Sequence, residues 1–200
     1  MKNNITTGFV RGEIRFSLID LSIFLGKTLE SDTVVFVFNR LFGASYKTHL
    51  ISGAEEPYYL FDPEGYSKIY FRSNYISSAL HEVAHWCIAG AKRRRENDYG
   101  YFYISDRSKE QQLHFQRVER KAQALEWVFS VAALVPFAVS LDNFNHNDPI
   151  PFATEVRSSV MTLLVKGLTA RALSFANALS GEVGGGQFLS SKNYNLIPIR

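Results

Sequence analysis

The sequence contains a single cysteine, Cys87, and no run of apolar residues long enough to cross a bilayer. One cysteine excludes an intramolecular disulfide and favours a reducing compartment, so we expect a cytoplasmic protein. The most apolar stretch, residues 16–25, includes Asp20 and is shorter than the roughly 20 residues that a membrane helix needs. The opening Met-Lys-Asn-Asn is not followed by the pattern of a signal peptide.

Charge of one sign is also scarce, because 22 Lys and Arg residues against 19 Asp and Glu residues leave a net charge of only +3. This balance excludes a chain-wide field for nucleic acid or membranes, so we expect neither as a direct partner. Hydrophobic residues make up 46% and charged residues 20%, as in ordinary globular domains. A chain of 200 residues therefore predicts a single domain with its own core.

The order of the periodic segments predicts an α+β fold in which a small sheet packs on helices. Apolar residues spaced three and four apart predict a helix near residues 34–42 that ends at Gly43. Short extended segments are predicted at residues 49–52, 57–60 and 68–72. The sequence Asp-Pro-Glu-Gly at residues 62–65 predicts a turn before the last of them.

The next helix is predicted over residues 74–89, with Ser73 as its N-cap and Gly90 as a left-handed residue after its end. A strand near residues 98–104, a long helix near 110–135 and two helices near 154–166 and 169–179 follow. We divide the chain into an N-terminal extension (residues 1–32), a domain (33–182) and a flexible C-terminal tail (183–200).

The most specific feature is the motif His81-Glu82-Val83-Ala84-His85, in which two histidines lie four residues apart. On a helix this spacing places both imidazoles on one face, where they can bind one cation from the same side. Two histidines leave a metal incompletely bound, so a third ligand is expected from a neighbouring helix. The long helix offers Glu119, Glu126 and His114. We predict that Glu119 is the ligand and that Glu126 supports the site or contacts substrate.

Two histidines and one carboxylate leave other positions on a metal open. That arrangement suits oxygen chemistry at Fe(II) as well as hydrolysis at Zn(II), and the motif does not choose between them. Glu82 is not predicted to be a ligand; it would orient the site or handle protons.

Two neighbouring segments are candidates for substrate contacts. The run Lys92-Arg93-Arg94-Arg95 is either a solvated charge cluster or a dock for an acidic partner. Strand alternation would place Tyr99, Tyr101 and Tyr103 on one face and Asp98, Gly100 and Phe102 on the other. Such a row is typical of sheet packing, but with the carboxylate it would also suit a cationic substrate.

Longer segments around these residues are similar to the elongation factor P hydroxylase family. The resemblance covers residues 33–180 and rests on Ser-Ala-Leu-His-Glu-Val-Ala-His-Trp-Cys-Ile-Ala-Gly at 78–90, Arg-Arg at 93–94, Asp-Tyr-Gly-Tyr at 98–101 and Val-Glu-Arg-Lys-Ala-Gln-Ala-Leu-Glu-Trp at 118–127. Glu-Pro-x-Tyr at 56–59 and Pro-Phe-x-Val-Ser-x-Asp-Asn at 136–143 add to it. The chain departs from the family in its N-terminal extension, in Ala122 where Pro is usual, and in Glu126 where some members have Asp.

The resemblance implies an iron-dependent monooxygenase that uses O₂ to hydroxylate the β-lysylated lysine of elongation factor P. It also implies a metal held at His81, His85 and Glu119, and a zincin-like fold. Asp98, Tyr99, Tyr101, Glu126, Arg93 and Arg94 would then contact the substrate. Zinc could replace iron in purified protein. Two alternatives stay open: a zinc peptidase in which Glu82 is the general base, and a non-catalytic binding module stabilised by a metal.

Overall fold

The computed structural model describes residues 29–100, 109–140 and 150–195, and for residues 109–116 it describes the backbone alone. The described residues form an α+β domain with a three-stranded mixed sheet and five α-helices. Helices pack on one another and on the sheet around one continuous hydrophobic core. The predicted fold class is confirmed to this extent. The predicted N-terminal extension lies mostly outside the described residues.

Helix α1 (Ser31–Tyr46) opens the domain and packs against the sheet. Its buried residues Val34, Val37 and Phe38 follow the predicted three-to-four spacing. The helix does not end at Gly43 as predicted; it continues to Tyr46 and ends at Lys47, whose backbone is left-handed (φ 46°). Gly43 is instead a point of close approach, because a Cβ there would lie 3.3 Å from Nε2 of His49.

The sheet consists of β1 (Thr48–Ala54), β2 (Tyr58–Leu60) and β3 (Ser67–Arg72), in the order β1-β3-β2. β3 is parallel to β1 and antiparallel to β2. The predicted turn before β3 is confirmed, since the Asp62 carboxylate accepts backbone hydrogen bonds from Glu64 and Gly65 at 3.0 and 2.8 Å. The alternating burial of β3 directs Ile69 and Phe71 into the core.

Helix α2 (Ile76–Ile88) follows β3 directly and carries the histidine motif. The predicted N-cap was wrong. Ser73 is left-handed (φ 50°) and its backbone pairs with Gly53 and Ala54 of β1, so it belongs to the turn between β3 and α2. The prediction for Gly90 was also wrong, because the helix ends through Ala89 in an extended conformation.

Three helices complete the domain: α3 (Lys109–Ala133), α4 (Ile150–Lys166) and α5 (Ala170–Val183). The predicted core stripe of α3 is buried at Ala122, Leu125, Phe129 and Ala132. Thr169 caps α5 by accepting a hydrogen bond from the backbone of Ala172. In the described part of the chain, no single helix has the length and apolarity to cross a membrane, although α4 and α5, bent by 100° to each other, meet that test as a pair.

The segment after α5 is packed onto the helices. Gly184 ends α5 in a left-handed conformation (φ 87°), and a short 3₁₀ helix (Ser191–Tyr194) follows. Tyr194 is fully buried against Trp127 of α3, with ring centroids 5.2 Å apart. Tyr194 thus attaches this segment to α3, and the predicted boundary of a C-terminal tail at residue 183 stays a prediction.

Candidate metal centre

Helix α2 presents His81 and His85 one turn apart, and their rings meet with Nε2 atoms 3.0 Å from each other. The other faces of α2 are committed to the core, where Leu80, Val83 and Ala84 are fully buried. Cys87 is also fully buried, and burial raises the pKa of its thiol to about 12, as expected for an inert core residue. The local amphipathic pattern thus orients both imidazoles towards α3.

Glu119 of α3 reaches both histidines. Its Oε2 lies 3.4 Å from Nε2 of His81, and its Oε1 lies 3.3 Å from Nε2 of His85. One ligand atom from each of the three residues falls within 4.8 Å of the others, a spacing that could hold a metal ion. The geometry therefore brings together the three residues that the sequence singled out as ligands.

Glu126 lies two helical turns further along α3, on the same face as Glu119. Its Oε2 is 2.8 Å from Nδ1 of His81, and the residue is only 7% exposed. This contact fixes the ring of His81 so that Nε2 is turned towards Glu119 and His85. A carboxylate on the distal nitrogen of a ligand histidine is the common supporting contact at metal sites.

Burial and charge shape the protonation of the cluster. Burial disfavours a charged His81, but its hydrogen bonds with Glu119 and Glu126 outweigh that effect and hold its pKa well above the ordinary value. Burial likewise opposes a charged Glu119, yet the neighbouring histidines lower its pKa. Several carboxylates in one buried space need a positive charge beside them, which a protonated His81 or a divalent cation held by neutral imidazoles could supply, so the residues present fit such an ion.

Glu82 lies beside the three residues and is 9% exposed. Burial raises the pKa of its carboxyl, Glu119 and Asp98 add to the rise, and the two histidines oppose it. Glu82 is not part of the group whose atoms could surround a metal. The role predicted for Glu82 stays a prediction.

The segment Asn97–Gly100 is a tight turn, so the strand predicted from Asp98 onward was wrong for these residues. Asp98 and Tyr99 are left-handed, with φ values of 47° and 57°. The turn is attached to the edge of β2, where Asp98 Oδ1 accepts from the backbone of Tyr59 at 2.8 Å and Asn97 Oδ1 accepts from that of Phe61 at 2.9 Å. Tyr101 and Tyr103 lie outside the described residues.

The four basic residues at positions 92–95, predicted as a possible docking surface, differ in exposure: Arg94 is partly buried and the other three are exposed. Arg94 donates to the carbonyl oxygen of Ala89 at 2.6 Å, and its guanidinium lies over the rings of Tyr46 and Trp86. The guanidinium of Arg94 is thus engaged within the fold, and its predicted contact with the substrate stays a prediction. Arg93 is exposed, although its Nη1 donates to the carbonyl oxygen of Tyr99 at 3.0 Å.

Two contributors to this region were missed by sequence reasoning. Arg171 of α5 donates to the carbonyl oxygens of Trp86, Cys87 and Ala89 at 3.3, 3.0 and 2.8 Å, which holds the end of the histidine helix. Asn97 accepts a hydrogen bond from the backbone of Phe61 next to the edge strand of the sheet. Neither residue has a local sequence signal, since each acts on a segment distant from it along the chain.

The fold and site define a class: an α+β domain in which two histidines and a carboxylate form a largely buried cluster that could hold a metal ion. Residues 37–191 match the family model described as elongation factor P hydroxylase, and the chain belongs to this family. The chain is also 43% identical over 153 residues to the elongation factor P lysine hydroxylase of Haemophilus influenzae, an alignment that covers 74% of this chain and 86% of the relative. The resemblance seen in the sequence is confirmed.

Proposed function

We propose that this protein is an iron-dependent hydroxylase that acts on the β-lysylated lysine of translation elongation factor P. O₂ is the co-substrate: one oxygen atom enters the side chain, and the other is reduced to water with two electrons from an external reductant. Membership of the family and the name of the Haemophilus influenzae relative support the hydroxylase activity and its protein substrate. Such an activity would place the protein in the cytoplasm, where translation takes place. The single observation that carries the metal dependence is the meeting of His81, His85 and Glu119 between two packed helices.

His81, His85 and Glu119 would hold the ion on one side. Two imidazoles and one carboxylate are the donor set of non-haem Fe(II) oxygenases, and when bound there iron supplies the redox chemistry with O₂. The side chains around it have separate tasks. Glu126 keeps the ring of His81 in place through Nδ1, and Glu82 would accept or return a proton beside the reacting carbon.

Substrate contacts would come from the segment between α2 and α3. Tyr99 lies on the His85 side of the site, since the rings of Tyr99 and His85 are nearly parallel with centroids 6.4 Å apart. Asp98 precedes it in the same turn. Arg93, with its exposed neighbours Lys92 and Arg95, would meet an acidic surface of elongation factor P. Tyr101 stays a prediction.

The decisive experiment is mass spectrometry of β-lysylated elongation factor P after incubation with Fe(II)-loaded protein under reducing, aerobic conditions. We expect the gain of one oxygen atom with the wild type and its loss with Glu119→Ala. Glu155→Gln is the matched control, because this glutamate is 61% exposed and pairs with Arg120 on the surface. No oxygen gain with the wild type, or full activity in Glu119→Ala, would contradict the proposal.

A zinc peptidase is the second candidate, because the motif places Glu82 between the two histidines as the general base of such enzymes. Two hydrogen bonds argue against a peptidase. The backbone N–H groups of Tyr59 on β2 and of Phe61, the residue after β2, already bond to Asp98 and Asn97, so they are not available to an extended peptide. Cleavage of generic peptides by zinc-loaded protein, lost in Glu82→Gln, would support the peptidase instead.

A non-catalytic module with a structural metal is the third candidate. Structural zinc sites are usually closed by four protein ligands, whereas the described part of the chain brings three residues together here. Metal-edge spectroscopy showing a fourth protein ligand and no exchangeable position would favour this candidate over an enzyme.

A further inference from the structure

Gln123 is a buried polar residue on the face of α3 that carries the two glutamates of the candidate metal centre. It lies between Glu119 and Glu126 in the sequence, about 40° from the first and about 60° from the second around the helix. The residue is only 3% exposed. Burying an amide costs free energy unless its donor and its acceptor are both bonded, so its bonds show what this side chain does.

Both polar atoms of the Gln123 amide bond to the backbone of a single residue, Ser140. Nε2 donates to the carbonyl oxygen of Ser140 at 3.0 Å, and Oε1 accepts from its N–H group at 3.0 Å. Two residues that exchange both bonds in this way form the repeating unit of an antiparallel sheet. The side chain of Gln123 thus holds the backbone at Ser140 as a neighbouring strand would.

The segment that Gln123 holds, residues 135–140, reverses direction directly after α3, and we call it the returning segment. Leu134 is left-handed (φ 55°), and Val135 donates to the carbonyl oxygen of Ser130 at 2.9 Å. These are the features of a helix end at which the chain turns back on itself. The returning segment therefore starts out along the helix that it has just left.

Two contacts show that the returning segment runs towards the metal centre. Phe137 stacks on Trp127 of α3, with ring centroids 5.3 Å apart and an interplanar angle of 16°. Ser140 then reaches Gln123, which lies about 6 Å further along the helix axis in the direction of Glu119. Each contact along the segment is thus closer to the ligand glutamate than the one before.

The returning segment flanks the glutamate face of α3. Gln123 and Trp127 lie about 40° and about 80° from Glu119 around the helix, and Arg120, at about 100°, pairs with α4. The segment therefore runs between the face that meets α2 and the side that meets α4. The centre opens to solvent, because the side chain of His81 is 22% exposed, and the residue at the end of the segment is exposed as well.

We propose that Gln123 is a positioning residue that fixes the returning segment as one wall of the substrate-binding site. The inference rests on the proposed function and names what shapes the site beside the metal ligands. A wall that is held in place before substrate arrives does not have to be ordered during binding, which strengthens binding. Gln123 itself contacts neither substrate nor metal in this role, since it acts through the backbone of Ser140.

Asn39 provides a matched control, because its amide makes the same pair of bonds elsewhere in the fold. It donates to the carbonyl oxygen of Leu50 at 3.3 Å and accepts from its N–H group at 2.8 Å, where α1 meets the edge of β1. Gln123→Met and Asn39→Leu each delete one such pair with little change in side-chain volume. Both variants should fold and melt at a lower temperature than the wild type.

Hydrogen exchange followed by NMR tests whether Gln123 holds the segment. In Gln123→Met the N–H group of Ser140 loses its acceptor, so its exchange should become at least about five-fold faster, while the amides of α2 keep their wild-type rates. Asn39→Leu should leave exchange at Ser140 unchanged. An unaltered rate at Ser140 in Gln123→Met would overturn the proposal, because the segment would then be fixed without the amide.

Calorimetry of Fe(II)-loaded protein with β-lysylated elongation factor P under argon measures binding without turnover. We expect Gln123→Met to bind about ten-fold more weakly than the wild type, and Asn39→Leu to bind as the wild type does. Competition with a chelator should give the same metal affinity for all three proteins. Equal weakening in Asn39→Leu would overturn the proposal, since binding would then follow stability. A lower metal affinity in Gln123→Met would also overturn it, since the amide would then act on the centre.

The outcomes separate this inference from the proposed function. Binding by the wild type that is fully retained in Gln123→Met would overturn the role of Gln123 and leave the proposed function standing. Failure of the wild type to bind the modified factor would overturn the proposed function and the present inference together.

Discussion

His81 is the residue on which the geometry of the centre depends, because both of its ring nitrogens are engaged by carboxylates. Nε2 faces Glu119 at 3.4 Å and Nδ1 faces Glu126 at 2.8 Å. The two glutamates lie seven residues apart on α3, so they contact the ring from positions two turns apart on one helix face. One carboxylate is thus placed to share a cation and the other to fix the ligand that holds it.

Removing Glu126 should weaken metal binding without unfolding the domain. Loss of a carboxylate behind a ligand histidine typically lowers metal affinity by about 10- to 100-fold. We expect Glu126→Ala to show a drop in this range. Glu126→Gln should show a smaller one, because an amide oxygen still accepts from Nδ1. Competition with a chelator of known affinity measures both, with Glu155→Gln as the surface control. Unchanged affinity in Glu126→Ala would show that His81 is held by other contacts.

At the scale of the element, the end of α2 is held by side chains from elsewhere in the chain rather than by a glycine. Arg171 of α5 and Arg94 together donate to the last carbonyl oxygens of the helix, and both guanidinium groups lie over the ring of Trp86. Cations at a helix C-terminus are favoured by the helix dipole as well as by these bonds. The arrangement ties the helix that carries His81 and His85 to α5.

Arg171→Met should therefore destabilise the domain by about 2 to 4 kcal/mol, because charged hydrogen bonds are lost and carbonyl oxygens are left without donors. In a chain of this size, each kcal/mol lowers the melting temperature by about 2 to 4 °C. The control is Arg40→Gln, which removes an exposed ion pair with Glu182 and should cost less than about 1 kcal/mol. Equal melting temperatures for the two variants would contradict the structural role of Arg171.

At the scale of the whole molecule, the segment after α5 packs back onto the core through Tyr194. Tyr194 is fully buried, its ring packs on Trp127 of α3, and its hydroxyl donates to the carbonyl oxygen of Phe188 at 2.6 Å. Gly186 permits this approach, since a Cβ at that position would collide with the carbonyl oxygen of Val131. The segment thus packs directly on α3, the helix that carries Glu119 and Glu126.

We expect Tyr194→Ala to destabilise the domain by about 3 to 5 kcal/mol, as for other large aromatic residues removed from a core. Tyr194→Phe should cost about 1 kcal/mol, because only the hydrogen bond is lost. Denaturant unfolding measures both, and Leu189→Ala, at a residue 56% exposed, provides the control. A Tyr194→Ala variant as stable as Leu189→Ala would mean that the segment adds nothing to the fold.

The amino-acid sequence determined the features that depend on neighbours along the chain. The periodicity of α1, α2 and α3 follows from side chains three and four residues apart, and the same spacing puts His81 and His85 on one face. The seven-residue interval between Glu119 and Glu126 likewise gave both carboxylates a common side of α3. These relations hold within a single helix, so they could be predicted without knowing how the helices pack.

Only the tertiary structure decided the features that join distant segments. Ser73 became part of a turn because β1 pairs with it, and the Asn97–Gly100 turn is held by its bonds to β2 rather than by its tyrosine-rich composition. Arg171 reached the end of α2 from 82 or more residues away, and Tyr194 found Trp127 across the core. Such contacts contribute free energy only once the chain has folded, and local spacing therefore carries no signal of them.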